Sequence, residues 1–385
     1  MAPARPLPTA LDAIHFAHPL DVNARRRMDR LIDGRPRVKK FFEAAERSTE
    51  HKHYMTHLAQ DTRLSHRQAG SIYKMVEDLA AAASMPCPRV FLDTNPTLNA
   101  SALGQHKPII LIHSGLVDQM SERQVRAVLA HELGHIRCKH TFYRTVANGF
   151  APVAALMSSL PGGSLLALAL QWHLFDWFRK SELSADRFSL LVTGDLDSVQ
   201  EMLIQLAGGA ACVRDHLSVD DFRNQAAEFR DNADARRKNM STMDKIEYYV
   251  TELMLDPDLS THPLTALRFI ELEDWTRSPQ FLSLCSGDLA MAATQPFQYM
   301  PDTVPDEDLD PSTVEAAIGA APVLHQAAAE VAGKWKSFSA KLAGPGNVPP
   351  DAASHPDGWF PDPDGSGALR WWDGTRWTTD TRHPG

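Results

Sequence analysis

Ser121-Glu-Arg-Gln124-Val-Arg-Ala-Val-Leu-Ala-His131-Glu132-Leu-Gly-His135-Ile136 decides how this chain folds. Ser121 followed three residues later by Gln124 has the spacing of a capping box and predicts a helix start. Val125, Val128, Leu129, Leu133 and Ile136 recur at helical spacing and predict one buried stripe. On such a helix His131 and His135 lie one turn apart, with Cβ atoms about 6 Å from each other, so both imidazoles can face one metal ion. Glu132 points to the flank, where it can reach a water without being a ligand. H-E-x-x-H is the pattern in which two histidines hold zinc and the glutamate works as a general base. A third protein ligand would leave a fourth position for water, whose proton Glu132 would take as the water attacks a peptide carbonyl.

The third ligand sets the subclass. A metzincin needs glycine at position 138 and histidine at position 141; the chain has Cys138 and Thr141. His140 would lie about 140° round a continuing helix from His135, which makes it a poor ligand. Lys180-Ser-Glu182-Leu-Ser-Ala-Asp186-Arg187 offers two carboxylates at i, i+4. One can take the metal, and the other can accept the free ring N–H of a ligand histidine. A solvated charged helix face is the alternative reading of the same residues.

Between the two motifs, Thr145 to Phe175 carries no charged side chain. Pro161-Gly-Gly163 divides this run into two arms, read as a helical hairpin. Each arm is shorter than the ~20 apolar residues of a membrane span. The hairpin is therefore either buried in protein or dips into a membrane. Basic residues flank both its ends (Arg137, Lys139, Arg144, Arg179 and Lys180), which would keep both bases on the cytoplasmic side.

Working outward, residues 10–85 read as mostly helical. Short β signals follow at Arg89–Leu92, Leu98–Leu103 and Pro108–His113. Helix is expected at roughly 178–210, ended by Gly208-Gly209, with charged helical material to about 280. The expected organisation is an N-terminal helical segment (1–65), a catalytic domain (66–290), an acidic, Pro-rich linker with one Ala-rich helix (291–356), and a Trp-rich module (357–385). In the last, Asp373-Gly374 between aromatics reads as a hairpin turn. Trp359, Trp371, Trp372 and Trp377 could form a small core with Arg370 and Arg376 stacked on it. This module either docks a partner or merely holds itself together.

The bulk numbers agree. A chain of 385 residues suggests two to three folding units at about 150 residues each. A net charge of −9 argues against nucleic acid as the main partner. Four scattered cysteines form no C-x-x-C pair, so neither a disulfide framework nor a thiolate zinc knuckle is expected. The N-terminus lacks the pattern of a signal peptide. The expected location is the cytoplasm, with membrane association on the cytoplasmic face if the hairpin (149–175) touches lipid.

H-E-L-G-H, then S-E-L-S-A-D-R after an apolar hairpin, then Thr261-His262-Pro-Leu-Thr-Ala-Leu-Arg268, resembles the HtpX-like zinc peptidases, the family that includes the type 1 CAAX prenyl proteases. Asn99-Ala100 and Ser114-Gly-Leu-Val117 resemble it too, and the likeness covers about residues 70–275. It implies an α+β, predominantly helical gluzincin core with a small sheet beside the H-E-x-x-H helix. It implies one Zn2+ per chain held by His131, His135 and Glu182, with Glu132 as general base and Asp186 behind a ligand histidine. Asn99 and Ala100 would belong to the edge strand that takes the substrate backbone. His262 would steady the developing oxyanion or orient a ligand, braced by Arg268. The chain departs from the membrane-embedded members in having one short hairpin and no N-terminal spans. The leading expectation is a zinc metalloendopeptidase acting on polypeptides, in the manner of protein quality control. The alternatives are an inactive peptide-binding scaffold and a membrane-peripheral adaptor on the same fold.

Overall fold

The structure is a computed structural model that describes residues 6–33, 36–142, 144, 163–209, 212–237, 265–299, 358–361, 369–372 and 377–382. Two compact units divide the chain, at Phe338 and Ser339.

In the first unit, a short α1 (Ala13–Phe16) and α2 (Pro19–Asp33) precede the long α3 (Pro36–Gln60). Next come β1 (Thr62–Arg63), α4 (Gly70–Ala82), β2 (Arg89–Asp93), β3 (Ala100–Leu103) and β4 (Ile109–His113). The sheet order is β1-β2-β4-β3. β2 and β4 are parallel, with Val90 opposite Ile110. β3 runs antiparallel to β4, with Ala100 opposite Ile112, and forms one edge of the sheet. The two-residue β1 on the other edge was not anticipated; Thr62-Arg63 is too short to carry a period.

All five residues of β4 are buried, because both faces of the sheet are covered. Side chains alternate across a strand. Ile110 and Ile112 join the main core with Met75, Val76 and Leu79 of α4, whereas Ile109 and Leu111 meet Phe91 and Tyr54 of α3 on the other side.

After α5 (Ser114–Gln119) comes α6 (Glu122–Arg137). It starts as the sequence predicts: the Ser121 side chain accepts from the Gln124 backbone, and the Gln124 side chain accepts from the Ser121 backbone N–H. It ends at Cys138, and Lys139 takes a left-handed conformation at φ 59°.

The helix α7 (Gly163–Thr193) is continuous for 31 residues. The sequence reading placed helix over roughly 178–210 without marking a break within it. Instead the chain turns at Gly194, with φ 65°, a conformation in which glycine carries no Cβ penalty. Asp195 then caps α8 (Leu196–Gly208) by accepting from Ser198. The turn of the apolar hairpin and its first arm, including Gly149 and Pro152, lie outside the described residues. Among the described residues no helix is long and apolar enough to cross a membrane.

α9 (Val219–Arg237), α10 (Thr265–Thr276), α11 (Pro279–Ser286) and α12 (Leu289–Thr294) complete this unit. α10 buries Arg268, Phe269, Ile270, Glu271, Leu272 and Trp275. α2 packs along α7, and Arg25 donates from Nη1 to the Cys138 carbonyl at 3.0 Å, tying α2 to the end of α6.

The second unit has three antiparallel strands, β5 (Gly358–Pro361), β6 (Leu369–Trp372) and β7 (Trp377–Arg382). Trp372 pairs with Trp377 on either side of the anticipated Asp373-Gly374 turn, which itself lies outside the described residues. So do residues 300–357, which hold most of the expected linker and its Ala-rich helix, whereas residues 291–299 of that span are described and begin within a helix, α12 (Leu289–Thr294). The observed architecture is predominantly helical with a small mixed sheet in the first unit.

Candidate metal centre

α6 and α7 bring the two motifs together. The Nε2 atoms of His131 and His135 are 3.0 Å apart, with the rings nearly perpendicular. Glu182 projects from α7 between them. Its Oε2 is 3.3 Å from His131 Nε2 and its Oε1 is 3.2 Å from His135 Nε2. All three side chains are buried. Glu132, also buried, contributes a carboxylate oxygen within 4.8 Å of the two histidine nitrogens.

The donor set fits a zinc ion. Two imidazole nitrogens and one carboxylate converge on a single point, the combination that open, catalytic zinc sites use. Two nitrogens at 3.0 Å need either a shared proton or a cation between them, since two facing lone pairs would repel. The electrostatics agree. Burial works to lower the pKa of His131, but hydrogen bonds to Asp186 and Glu182 outweigh it and push it up to about 9. Burial and the nearby Arg144 guanidinium drive that of His135 well down. The carboxylates beside His131 thus favour positive charge in this pocket, and a zinc ion bound there would take the place of a proton.

Asp186 stands behind His131. Its Oδ1 is 2.9 Å from His131 Nδ1, an arrangement that leaves Nε2 free for a metal. Arg268 donates to both carboxylate oxygens of Asp186 at 2.7 Å and lies 3.3 Å from Glu182. Burial works to raise the Asp186 pKa, and Arg268 holds it below the usual carboxylate range.

His262 lies outside the described residues; among the described residues Arg268 is held by the carboxylates of Asp186 and Glu182. Ala100 opens the edge strand β3, and Asn99 accepts from the His113 backbone N–H at 3.1 Å through its own carbonyl.

Two site residues escaped the sequence reading. Arg144 reaches Glu182 at 3.1 Å and Glu132 at 3.8 Å; nothing in its spacing marked it. His140, weighed in the sequence only as a poor ligand on a continuing helix, stands behind His135 instead. The helix stops, and the left-handed turn at Lys139 folds the ring back until its Nδ1 is 2.9 Å from His135 Nδ1.

A family model described as peptidase family M48 matches residues 66–276, more than half of the chain. The chain belongs to peptidase family M48. It is a zinc metallopeptidase by that membership. A chloroplastic, plastoglobule-localized metallopeptidase 48 of Arabidopsis thaliana is 29% identical over 277 residues, 71% of this chain and 76% of that protein. An HtpX protease homolog of Moorella thermoacetica is 29% identical over 175 residues, 38% of this chain and 58% of its own length. One of Syntrophobacter fumaroxidans is 33% identical over 150 residues, 37% and 50%. The M48 chain therefore spans three-quarters of the plant relative but only about half of these bacterial ones. Residues 358–385 match a family of unknown function, DUF2510. No solved structure gives a significant match.

Proposed function

We propose that this M48 chain is a metalloendopeptidase that cuts exposed or unfolded polypeptide segments, with one zinc ion held by His131, His135 and Glu182. The observation that carries the reading is the convergence of those three side chains on one point, with Glu132 beside it. Zinc at such a centre supplies a Lewis acid for the scissile carbonyl and acidifies water.

The chain's own groups do the rest. Glu132 takes the proton of the attacking water on its carboxylate and passes it to the departing amine. Asp186 fixes the His131 ring, and Arg268 fixes Asp186. Arg144, next to both glutamates, offsets their paired negative charge. His262 is assigned to the developing oxyanion, as the resemblance to HtpX-like peptidases implies.

Substrate would lie along β3, beginning at Asn99 and Ala100, as an added strand. Such pairing reads main chain more than side chains. It therefore favours segments whose backbone is not already paired, which is the rationale for unfolded clients. Peripheral membrane contact through residues 149–175 and a protein partner for the Trp-rich tail remain part of this proposal.

Two measurements test it. Elemental analysis of purified, chelator-free protein should find one zinc per chain. Incubation with an unfolded protein such as reduced casein should yield internal cleavage that a chelator stops. Folded protein with no zinc and no cleavage would sink the reading and leave the peptide-binding scaffold.

A further inference from the structure

Behind His135 the site does not end in a carboxylate, as it does behind His131. His135 Nδ1 meets His140 Nδ1 at 2.9 Å, and His140 Nε2 meets Asp21 Oδ2 at 3.0 Å. Asp21 belongs to α2, outside the residues that match the M48 model. All three side chains are buried. Trp177 packs edge-on against the His140 ring at 5.4 Å. Ser184, two residues beyond Glu182 on α7, donates to the same Asp21 oxygen at 2.6 Å and accepts from the His18 backbone.

We propose that Asp21 and His140 are positioning residues for the metal centre: α2 supplies a carboxylate that, relayed through His140, sets the tautomer and orientation of His135. The inference rests on the metal-centre reading. Hydrogen-bond direction carries it. A His135 that presents Nε2 to a metal bears its proton on Nδ1. Nδ1–H then donates to His140 Nδ1, which must accept. The remaining His140 proton is on Nε2 and donates to Asp21. Every donor in the chain points toward one buried carboxylate, and each step stiffens the one before it.

The arrangement is selective for position as well as proton. Lys139 in its left-handed turn places His140, Arg25 holds the Cys138 carbonyl beside it, and Asp21 sits one turn before Arg25 on the same helix. The N-terminal helices thus do more than cover the domain. They complete the surroundings of a ligand on α6.

The test is zinc affinity of the full chain by competition with a fluorescent chelator. Partners behind a ligand histidine typically account for about 10–100-fold in metal affinity. Asp21→Asn, which keeps the shape and removes the charge, should weaken zinc binding about 10-fold, and His140→Gln by more. Both should shift the visible absorption of the cobalt-substituted protein, which a purely structural role would leave unchanged. Affinity within twofold of wild type and an unmoved cobalt spectrum, in folded variants, overturn the proposal. If a variant does not fold, the wild type itself decides. Histidine nitrogen NMR of the zinc-loaded chain should show His140 protonated at Nε2 and not at Nδ1, and the opposite tautomer overturns the relay. A wild type that binds no zinc would instead overturn the metal-centre reading, and this inference with it.

Discussion

A Cβ placed on Gly134 of α6 would come 3.0 Å from the Ala185 Cα of α7. It would also meet the Phe188 Cβ at 3.0 Å and the Ala185 carbonyl at 3.1 Å. Backbone, not a yielding side-chain tip, is what it would strike. The two helices approach this closely where one carries the histidines and the other Glu182. Gly134→Ala gains about 1 kcal/mol of helix propensity but must part the helices, and overpacking costs about 1–3 kcal/mol. The expected result is a lower melting temperature together with weaker zinc binding, read by calorimetry and chelator competition. A variant that is more stable and holds zinc equally well would show that the contact is not a constraint.

Glu132→Gln should leave zinc in place and remove turnover. The amide cannot take a proton, and general-base assistance is worth about 10²–10⁴ in rate. Zinc content and peptide cleavage, measured on the same preparation, check both halves. Cleavage near the wild-type rate would refute the mechanism.

Glu182→Ala should abolish tight zinc binding. It removes one of three proposed ligands and leaves the guanidinium of Arg144 without its 3.1 Å carboxylate partner. Breaking a buried pair by deleting one side costs about 3–5 kcal/mol. The zinc-free variant should thus unfold at a lower temperature than zinc-free wild type, and desalted protein should carry almost no metal.

Glu50 supports the strand that substrate would join. Its carboxylate accepts from the backbone N–H groups of Gln105, His106 and Lys107, at 3.2, 3.1 and 2.7 Å. These residues form the turn from β3 to β4. Glu50→Ala hands these three donors to water, since His106 and Lys107 are exposed, and should destabilise the domain by about 1 kcal/mol. Faster hydrogen exchange at residues 104–107, with zinc content unchanged, is the expected signature.

Asp176 should make stability depend on acid. Burial works to raise its pKa, but Lys180, Arg179 and Arg27 outweigh that and hold it below the usual carboxylate range. Lys180 is 2.8 Å away and Arg27 3.3 Å. A lowered folded-state pKa stabilises the fold above the unfolded value and is lost as pH falls through the folded one. Wild type should therefore exceed Asp176→Asn in stability most clearly above about pH 4. The gap should close on further acidification, as denaturant titrations across that range would show. A gap that stays constant with pH would mean the aspartate is not ionised.

The α6 helix, its cap and its two histidines were legible because each rests on a local rule: a spacing, a period, a turn of helix. The strands β2 and β4 were legible from their β-branched residues between turn residues, whereas β3, Ala-Ser-Ala-Leu, has none and was placed by its position between them and by Gly104. Glu182 and Asp186 could be named from their spacing but not assigned roles without a likeness to known peptidases. What escaped reading depended on contacts between distant segments. Arg144 finds Glu182, and Asp21 finds His140, only once α2, α6 and α7 are packed. The misreading of His140 had a local cause: a lysine in a left-handed conformation gives no signal that a helix is about to stop.

The proposed ligands come from two helices, and the whole apolar run lies in sequence between His135 and Glu182. An ion held there would act as a clasp across that gap, and its binding free energy would add to the stability of the closed form. At free zinc 100-fold above the dissociation constant, that addition is about 2.7 kcal/mol, a sizeable part of what keeps a typical domain folded. Scarcity of the metal would then do more than silence catalysis. It would loosen the joint between α6 and α7, so that zinc supply governs how many copies persist as well as how many are competent to cut.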